Sequence, residues 1–390
     1  MRPLVLGLTA ALGLTLAVAT PASQAAVPDS AAHHAARAHT PKLVVKAKVV
    51  SLDHPWDVRP IGKGRLIFTQ RDRATVSIWD HGHKRVIRNF PTDSVWVSGE
   101  TGLMGLETDP DFATNHRFYT CQGGFTGGGG HEVKVMSWTL NDALTAITSS
   151  RRLVGGFPTT SGRHGGCRLL ALDDGSLYVG TGDAATGTNP ENKKSLGGKT
   201  LRLDASTGKP WPRNPFIGSA NHAKRYVQTY GHRNVQGLTL RKNGAVYSIE
   251  QGTYRDDEVN RLVNGGDYGY NPVPGYNEEV PMTDQSLPGK QRNAVWHSGN
   301  PTLATSGGGF VYGKKLGVYD GSLAVAALKA ERVLFLHLDA KGHLVTVRTP
   351  AVLEKYGRIR TVVDGPGSTF YVTTDNGDGH DMVLAVHPKR

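Results

Sequence analysis

Four short segments of this chain set charged or polar residues beside glycine where the surrounding sequence reads as β-strand. SGRHGGCRLL, from Ser161, places His164 before two glycines, and YGHRNVQGL presents His232, Arg233 and Asn234 in a row. EQGTYRDDEVN carries Gln251, Gly252 and Thr253 ahead of the acidic run Asp256, Asp257, Glu258, while KYGRIRTVVDG puts Arg358 and Arg360 two residues apart, on one strand face. Lys329 is a further cation at the same level as Gln251 and Asp375. A histidine can act as a general base near neutral pH, and guanidinium groups grip carboxylates through paired hydrogen bonds. Singly, each group has an ordinary reading as a turn histidine, a solvated strand face or a charged surface turn. Convergence would change that. Arg233, Lys329, Arg358 and Arg360 in one cavity would give it four positive charges, suited to a polyanionic ligand.

The elements that would position them form a repeat. Short strands begin GRLIFTQRD at Gly64, HRFYTCQGG at His116, GSLYVGTGD at Gly175, GAVYSIEQG at Gly244, GSLAVAALK at Gly321 and GSTFYVTTD at Gly367. Each has a partner strand downstream: VSIWD, VKVMSWTL, KTLRLD, DEVNRL, RVLFLHLD and DMVLAVHP. A recurring strand pair at long, uneven spacing predicts an all-β, six-bladed β-propeller, with the repeat strands innermost and their polar ends meeting at the channel. The strand KLVVKAKVVSL from Lys42 precedes the first repeat. Leu43 to Val50 is therefore expected to close the ring as outer strand of the last blade, beside Met382 to His387, since a free edge would invite aggregation. Ala184 to Gly198, Trp211 to Tyr230 and Tyr268 to Ser306 are rich in Gly, Pro, Asn and charge, and read as long functional loops.

Residues 1–26 have the pattern of a secretory signal peptide, with Arg2, an apolar Leu4 to Thr20 and small residues near Ala25 and Ala26. Residues 27–41 lack periodicity and are expected to be a disordered lead-in to a single propeller domain over 42–390. No later stretch is apolar enough for a membrane span, so an exported, extracellular protein is expected. In that setting the two cysteines, Cys121 and Cys167, are expected to form a disulfide between blades two and three. The formal charge is +12, yet the basic residues are scattered without an aromatic stacking motif, which argues against nucleic acid. DNGDGHD from Asp375 has Val386 where a calcium loop needs its closing glutamate, and reads as a hairpin turn.

From His54 onward the chain resembles the soluble quinoprotein sugar dehydrogenases, the glucose/sorbosone dehydrogenase family that uses pyrroloquinoline quinone. The resemblance is carried in order by HPWDV, ETGLMGLETDPDFATNHRFY, HGGCRLLALDDGSLYVGTGD, GGKTLRLD, YGHRNVQGL, DDEVNRLVNGGDYGY and GRIRTVVDGPGSTFYVTTD. It implies a quinone cofactor over the channel mouth held by calcium, with His164 as the base that deprotonates an aldose. It implies Arg233 and Asn234 against the cofactor, Arg358 and Arg360 on its carboxylates, and Lys329 on the quinone oxygen. Backbone carbonyls of Gly252 and Thr253 would bind the cofactor's calcium, and Glu258 and Tyr268 a structural calcium. An aldose and an external electron acceptor are the implied partners.

Three positions depart from the family pattern. Glu100 stands where the family has a cofactor-contacting glutamine, and a carboxylate facing a polyanion repels it unless paired or protonated. Arg163 stands where some members have an aspartate that orients the base, and a cation there would oppose protonation of His164. Thr253 replaces a frequent proline, a mild change where the ligand is a backbone oxygen. Two competing readings are a non-catalytic propeller that binds a sugar or partner, and a calcium lactonase. The second lacks an assignable set of acidic ligands from several blades.

Overall fold

The computed structural model describes residues 39–389. The expected signal peptide, and the lead-in as far as residue 38, lie outside the described residues. Six four-stranded antiparallel sheets follow one another around a ring, giving a six-bladed β-propeller. The ring closes as expected, because the strand Leu43–Leu52 pairs antiparallel with Asp381–Pro388, Leu43 opposite Pro388 and Ala47 opposite Leu384.

One expectation is corrected. The repeat strands Leu66–Gln70, Arg117–Phe125, Ser176–Thr181, Val246–Glu250, Leu323–Ala327 and Phe370–Thr374 are second in their blades, not innermost. A preceding strand lines the axis in each: Val58–Pro60, Leu103–Thr108, Gly166–Ala171, Val235–Leu240, Thr305–Phe310 and Ile359–Asp364. These first strands pack against one another from blade to blade. Glycine lets them approach so closely: a methyl group on Gly237 would sit 2.9 Å from the Ser306 carbonyl oxygen, and one on Gly307 would sit 2.8 Å from Thr361 Cβ. Glycine also breaks the alternating pattern that reveals a strand. Two of the presumed loops likewise contain outer strands, Val227–Thr229 of blade three and Trp296–His297 of blade four.

Five first strands share a second feature. Their pairing with the next strand slips by a bulge near the start, at Leu103/Leu106, Gly166/Arg168, Val235/Gly237, Thr305/Gly308 and Ile359/Thr361. A bulge leaves a residue out of the ladder and re-aims its side chain. Gln236, Ser306 and Arg360 occupy these positions, and their side chains meet across the channel.

Apolar clusters join neighbouring blades. Ile67, Val76 and Ile78 of blade one pack with Leu106, Phe118 and Trp138 of blade two. Each fully buried side chain of this kind contributes about 1.5–3 kcal/mol. Cys167, a bulge residue, bonds to Cys121 with their Cα atoms 5.3 Å apart, linking blades two and three. The DNGDGHD run is a turn, in which Asp381 accepts hydrogen bonds from the amides of Asn376 and Gly377. Among the described residues no helix is long and apolar enough to cross a membrane.

The disulfide closes a 46-residue separation, which predicts a contribution of about 2–4 kcal/mol. Thiol labelling of the denatured, unreduced protein should detect no free thiol, and Cys121→Ser should lower the melting temperature by several degrees. Two titratable thiols per chain would contradict the assignment.

Candidate active site

A cavity of about 440 Å³ opens where blades four, five and six meet the turns of blades one and two. Glu100, Lys329, Arg358 and Arg360 line it, together with His54, Arg71, Gln236, Gln251, Asp375 and Asn376. Gln251, Lys329 and Asp375 follow the ends of second strands in three successive blades, so the expectation that they share a level holds. Four of the expected site residues are thus together. Arg233 is not among them: its guanidinium donates to the Gln251 carbonyl at 3.1 Å and to Glu278 at 2.7 Å.

Charge in the cavity is organised around Asp375. Its Oδ2 accepts from Arg360 at 2.6 Å and its Oδ1 lies 2.9 Å from His54 Nδ1. Burial pushes Asp375 up, but the Arg360 guanidinium and His54 outweigh it and hold the carboxyl well below its usual range. The Asp375 hydrogen bond raises His54 against an opposing effect of burial. Arg360 also donates to Gln236 Oε1 at 2.9 Å, while its Nε is buried without a partner among the described residues. Arg358 is half-exposed, holding the Asp375 carbonyl through Nε at 3.1 Å. Lys329 is exposed and forms no ion pair among the described residues. Asp375 is therefore committed to Arg360 and His54, with Arg358 a more distant partner at 3.7 Å, leaving Lys329 unpaired among the described residues and Arg358 only loosely held.

His164 stands outside the cavity's lining, in a tight turn with φ of 54°, and is almost wholly buried. Its Nδ1 lies 2.8 Å from Asp183 Oδ1, and Asp183 is fully buried. Among the described residues no protein group hydrogen-bonds Nε2, so the ring is oriented by one nitrogen and open for chemistry at the other. Asp183 supplies the orienting carboxylate whose absence at position 163 the sequence had suggested. Arg163 does not stand bare beside the base either, because it forms a two-pronged pair with Glu278 at 2.9 and 3.1 Å. Asn234 pins this region, accepting from the Gly166 amide at 3.0 Å and donating to Glu100 at 3.3 Å. Glu100 thus has an amide donor facing it.

The metal-ligand expectations fall in two places. Gly252 and Thr253 lie in a buried turn fixed by Asp257, which accepts from the Gly252 amide at 3.0 Å and the Leu303 amide at 2.6 Å. Neither the Gly252 nor the Thr253 carbonyl accepts a hydrogen bond among the described residues. Glu258 is buried and accepts from Thr283 and Asn260, both at 3.0 Å. Burial, then the neighbouring Glu250, push its carboxyl up to about 8. The Tyr268 hydroxyl turns away, donating to the Arg261 carbonyl at 2.7 Å, and its ring stacks on His232. His232 is a core residue, held between Thr229 and Glu250.

Sequence reasoning missed Asp183, Tyr276, Glu278, His54 and Gln236. Asp183 ends the third repeat as Asp375 ends the sixth, so the repeat itself held that signal. Tyr276 and Glu278 come from the long insertion, whose path sequence does not specify.

A family model described as glucose/sorbosone dehydrogenase matches residues 52–384. With the six-bladed fold, a buried histidine–aspartate dyad and a cation-lined cavity, the chain belongs to the glucose/sorbosone dehydrogenase family and is an oxidoreductase of the dehydrogenase type. Among relatives, the Escherichia coli aldose sugar dehydrogenase YliI is 28% identical over 87% of this chain and 91% of its own length. The PQQ-bound aldose sugar dehydrogenase from Streptomyces coelicolor superimposes with a TM-score of 0.72 at 27% identity, over 90% of this chain and all of that one. The apo-form soluble aldose sugar dehydrogenase from Escherichia coli does so with a TM-score of 0.79 at 25% identity, over 89% of this chain and all of that one.

The Asp375 network predicts a pH signature. The raised His54 contributes fully below its unfolded value, about 6.5, and loses its effect as pH rises through its folded value. The depressed Asp375 contributes above its unfolded value, about 3.9, and loses its effect as pH falls through its folded value. The unfolding free-energy difference between wild type and Asp375→Asn should therefore peak between about pH 4 and 6.5. Denaturant titrations across pH 3–9 test this, and a flat difference would rule the network out.

Proposed function

We propose that this chain is an exported quinoprotein that oxidises aldose sugars to lactones, using pyrroloquinoline quinone and calcium and passing electrons to an external acceptor. The observation that carries the reading is the pairing of two features. A cavity presents Lys329 and the half-exposed Arg358 toward an anion, and an oriented His164–Asp183 dyad is joined to it through Asn234, which holds both the Gly166 amide and the cavity residue Glu100. Similarity to a PQQ-bound aldose dehydrogenase supports the choice of cofactor. The apolar Leu4 to Thr20 stretch supports export.

The residues present fit the cofactor. A tricarboxylate needs several cations, and Arg358, Arg360 and Lys329 line the cavity, while the Nε atoms of buried Arg360 and Arg233 have no partner among the described residues. The donor-free carbonyls of Gly252 and Thr253 suit calcium, which prefers oxygen ligands. A structural calcium at Glu258 and the backbone carbonyl of Tyr268 would relieve the raised Glu258 carboxyl. When bound, the quinone supplies the acceptor for the hydride leaving the sugar's anomeric carbon.

The protein's part is binding, orientation and proton transfer. Arg358 and Arg360 would hold the cofactor's carboxylates, Lys329 would polarise its quinone oxygen, and Arg233 and Asn234 would contact it. His164 Nε2 takes the proton of the anomeric hydroxyl. Asp183 keeps the ring's other proton on Nδ1 and stabilises the imidazolium that forms, as a buried carboxylate does for any histidine base.

Reconstitution with calcium and the quinone, followed by an artificial electron acceptor and a panel of sugars, tests the reading directly. A cofactor-loaded protein that oxidises no sugar would replace it with a binding propeller. His164→Ala should bind quinone normally yet lose about 10²–10⁴ in rate. Arg358→Ala should weaken quinone binding, seen by absorbance titration, by the equivalent of about 1.5–3 kcal/mol. Glu100→Gln should tighten the same titration if the carboxylate now repels the ligand.

A further inference from the structure

The insertion that follows blade four's third strand reaches back over the site. Its Tyr276 hydroxyl lies 2.8 Å from Asp183 Oδ2 and 3.0 Å from His164 Nδ1. Two residues on, Glu278 holds Arg233 and Arg163. One short segment thus touches the base, its orienting carboxylate and the arginine beside them.

Asp183 is fully buried, so each of its oxygens needs a donor. Oδ1 has two partners, His164 Nδ1 and the Ala185 amide at 2.8 Å. Among the described residues Oδ2 has one, the Tyr276 hydroxyl. Burial, followed by the Asp183 charge, pushes the Tyr276 phenol far above its ordinary range, so it remains a hydroxyl and can donate. A tyrosine kept only for packing would send its hydroxyl to solvent or to a backbone carbonyl, as Tyr268 does. Tyr276 sends it to the two groups on which the chemistry turns.

We propose that Tyr276 is a positioning residue for His164. By holding the second oxygen of Asp183 it fixes the plane of that carboxylate. The carboxylate then keeps the imidazole proton on Nδ1 and leaves the Nε2 lone pair available. Without the hydroxyl, Asp183 Oδ2 is buried and unsatisfied, and the carboxylate can rotate away from the ring. The inference rests on reading His164 as the base, and it places the specificity of that base under a loop outside the repeat.

Tyr276→Phe removes one oxygen and keeps the ring. In ¹⁵N-histidine-labelled protein, the His164 Nδ1 proton of the wild type should exchange slowly and show a nuclear Overhauser contact to the Tyr276 ring. In the Phe variant that proton should exchange at least tenfold faster while the circular dichroism spectrum is unchanged. In quinone- and calcium-loaded enzyme, kcat should fall about tenfold with sugar KM and quinone affinity within twofold of wild type. An unaltered exchange rate in a folded Phe variant overturns the proposal. Should the variant not fold, absence of the Tyr276 contact in the wild type overturns it equally. If the exchange rate responds but the wild type oxidises no sugar, positioning stands and the sugar dehydrogenase reading falls.

Discussion

A charged group brought to the axis of a propeller leaves water behind, and it must find its counter-charge there. That constraint organises this molecule. Asp57 is wholly buried and pairs with Arg168 and Arg59 beneath the cavity, while Arg168 also lies 4.1 Å over the Trp56 ring. Burial still pushes Arg168 down to about 10. Asp375 meets the same demand nearer the mouth by pairing with Arg360 and His54. A cation removed from either pair would leave a buried carboxylate uncompensated, at several kcal/mol. Once both aspartates are committed, the cations left over define what the site can bind.

The bulges make this arrangement possible. A regular strand at the axis would alternate its side chains between the neighbouring blades. Slipping one residue out of the ladder turns Gln236, Ser306 and Arg360 toward a common point, where they hydrogen-bond to one another across three blades. The same device at Cys167 carries the sulfur to Cys121 in the neighbouring blade. Rigid first strands thus present the polar groups, and the loops supply what varies.

The reactive side of the site is built differently. His164 stands on a turn ahead of a first strand, Asp183 at the end of a second strand, and Tyr276 and Glu278 on a long insertion. Strand ends hold the dyad at fixed spacing, and the insertion covers it from solvent. Water exclusion strengthens the hydrogen bonds among these groups. Glu278 of the same insertion pairs with both Arg163 and Arg233.

By itself the amino-acid order determined the all-β class, six repeats, closure by the strand at Leu43 and the pairing of two cysteines. Each of these follows from local alternation, turn chemistry or the lack of any other partner. The order also placed Gln251, Lys329 and Asp375 at one level, because strand-end residues of a repeat must share a level. The tertiary structure alone decided which strand is innermost, since glycine-rich strands show no alternation and are recognised only by the packing that requires glycine. It alone assigned Asp375 to Arg360 and Asp183 to His164, because an ion pair depends on distance through space and these partners lie 15 and 19 residues apart. Tyr276 is the extreme case, 112 residues from His164 and on no repeat. Its role depends on the path of a loop, which is set by the surface it folds against and not by any period in the chain.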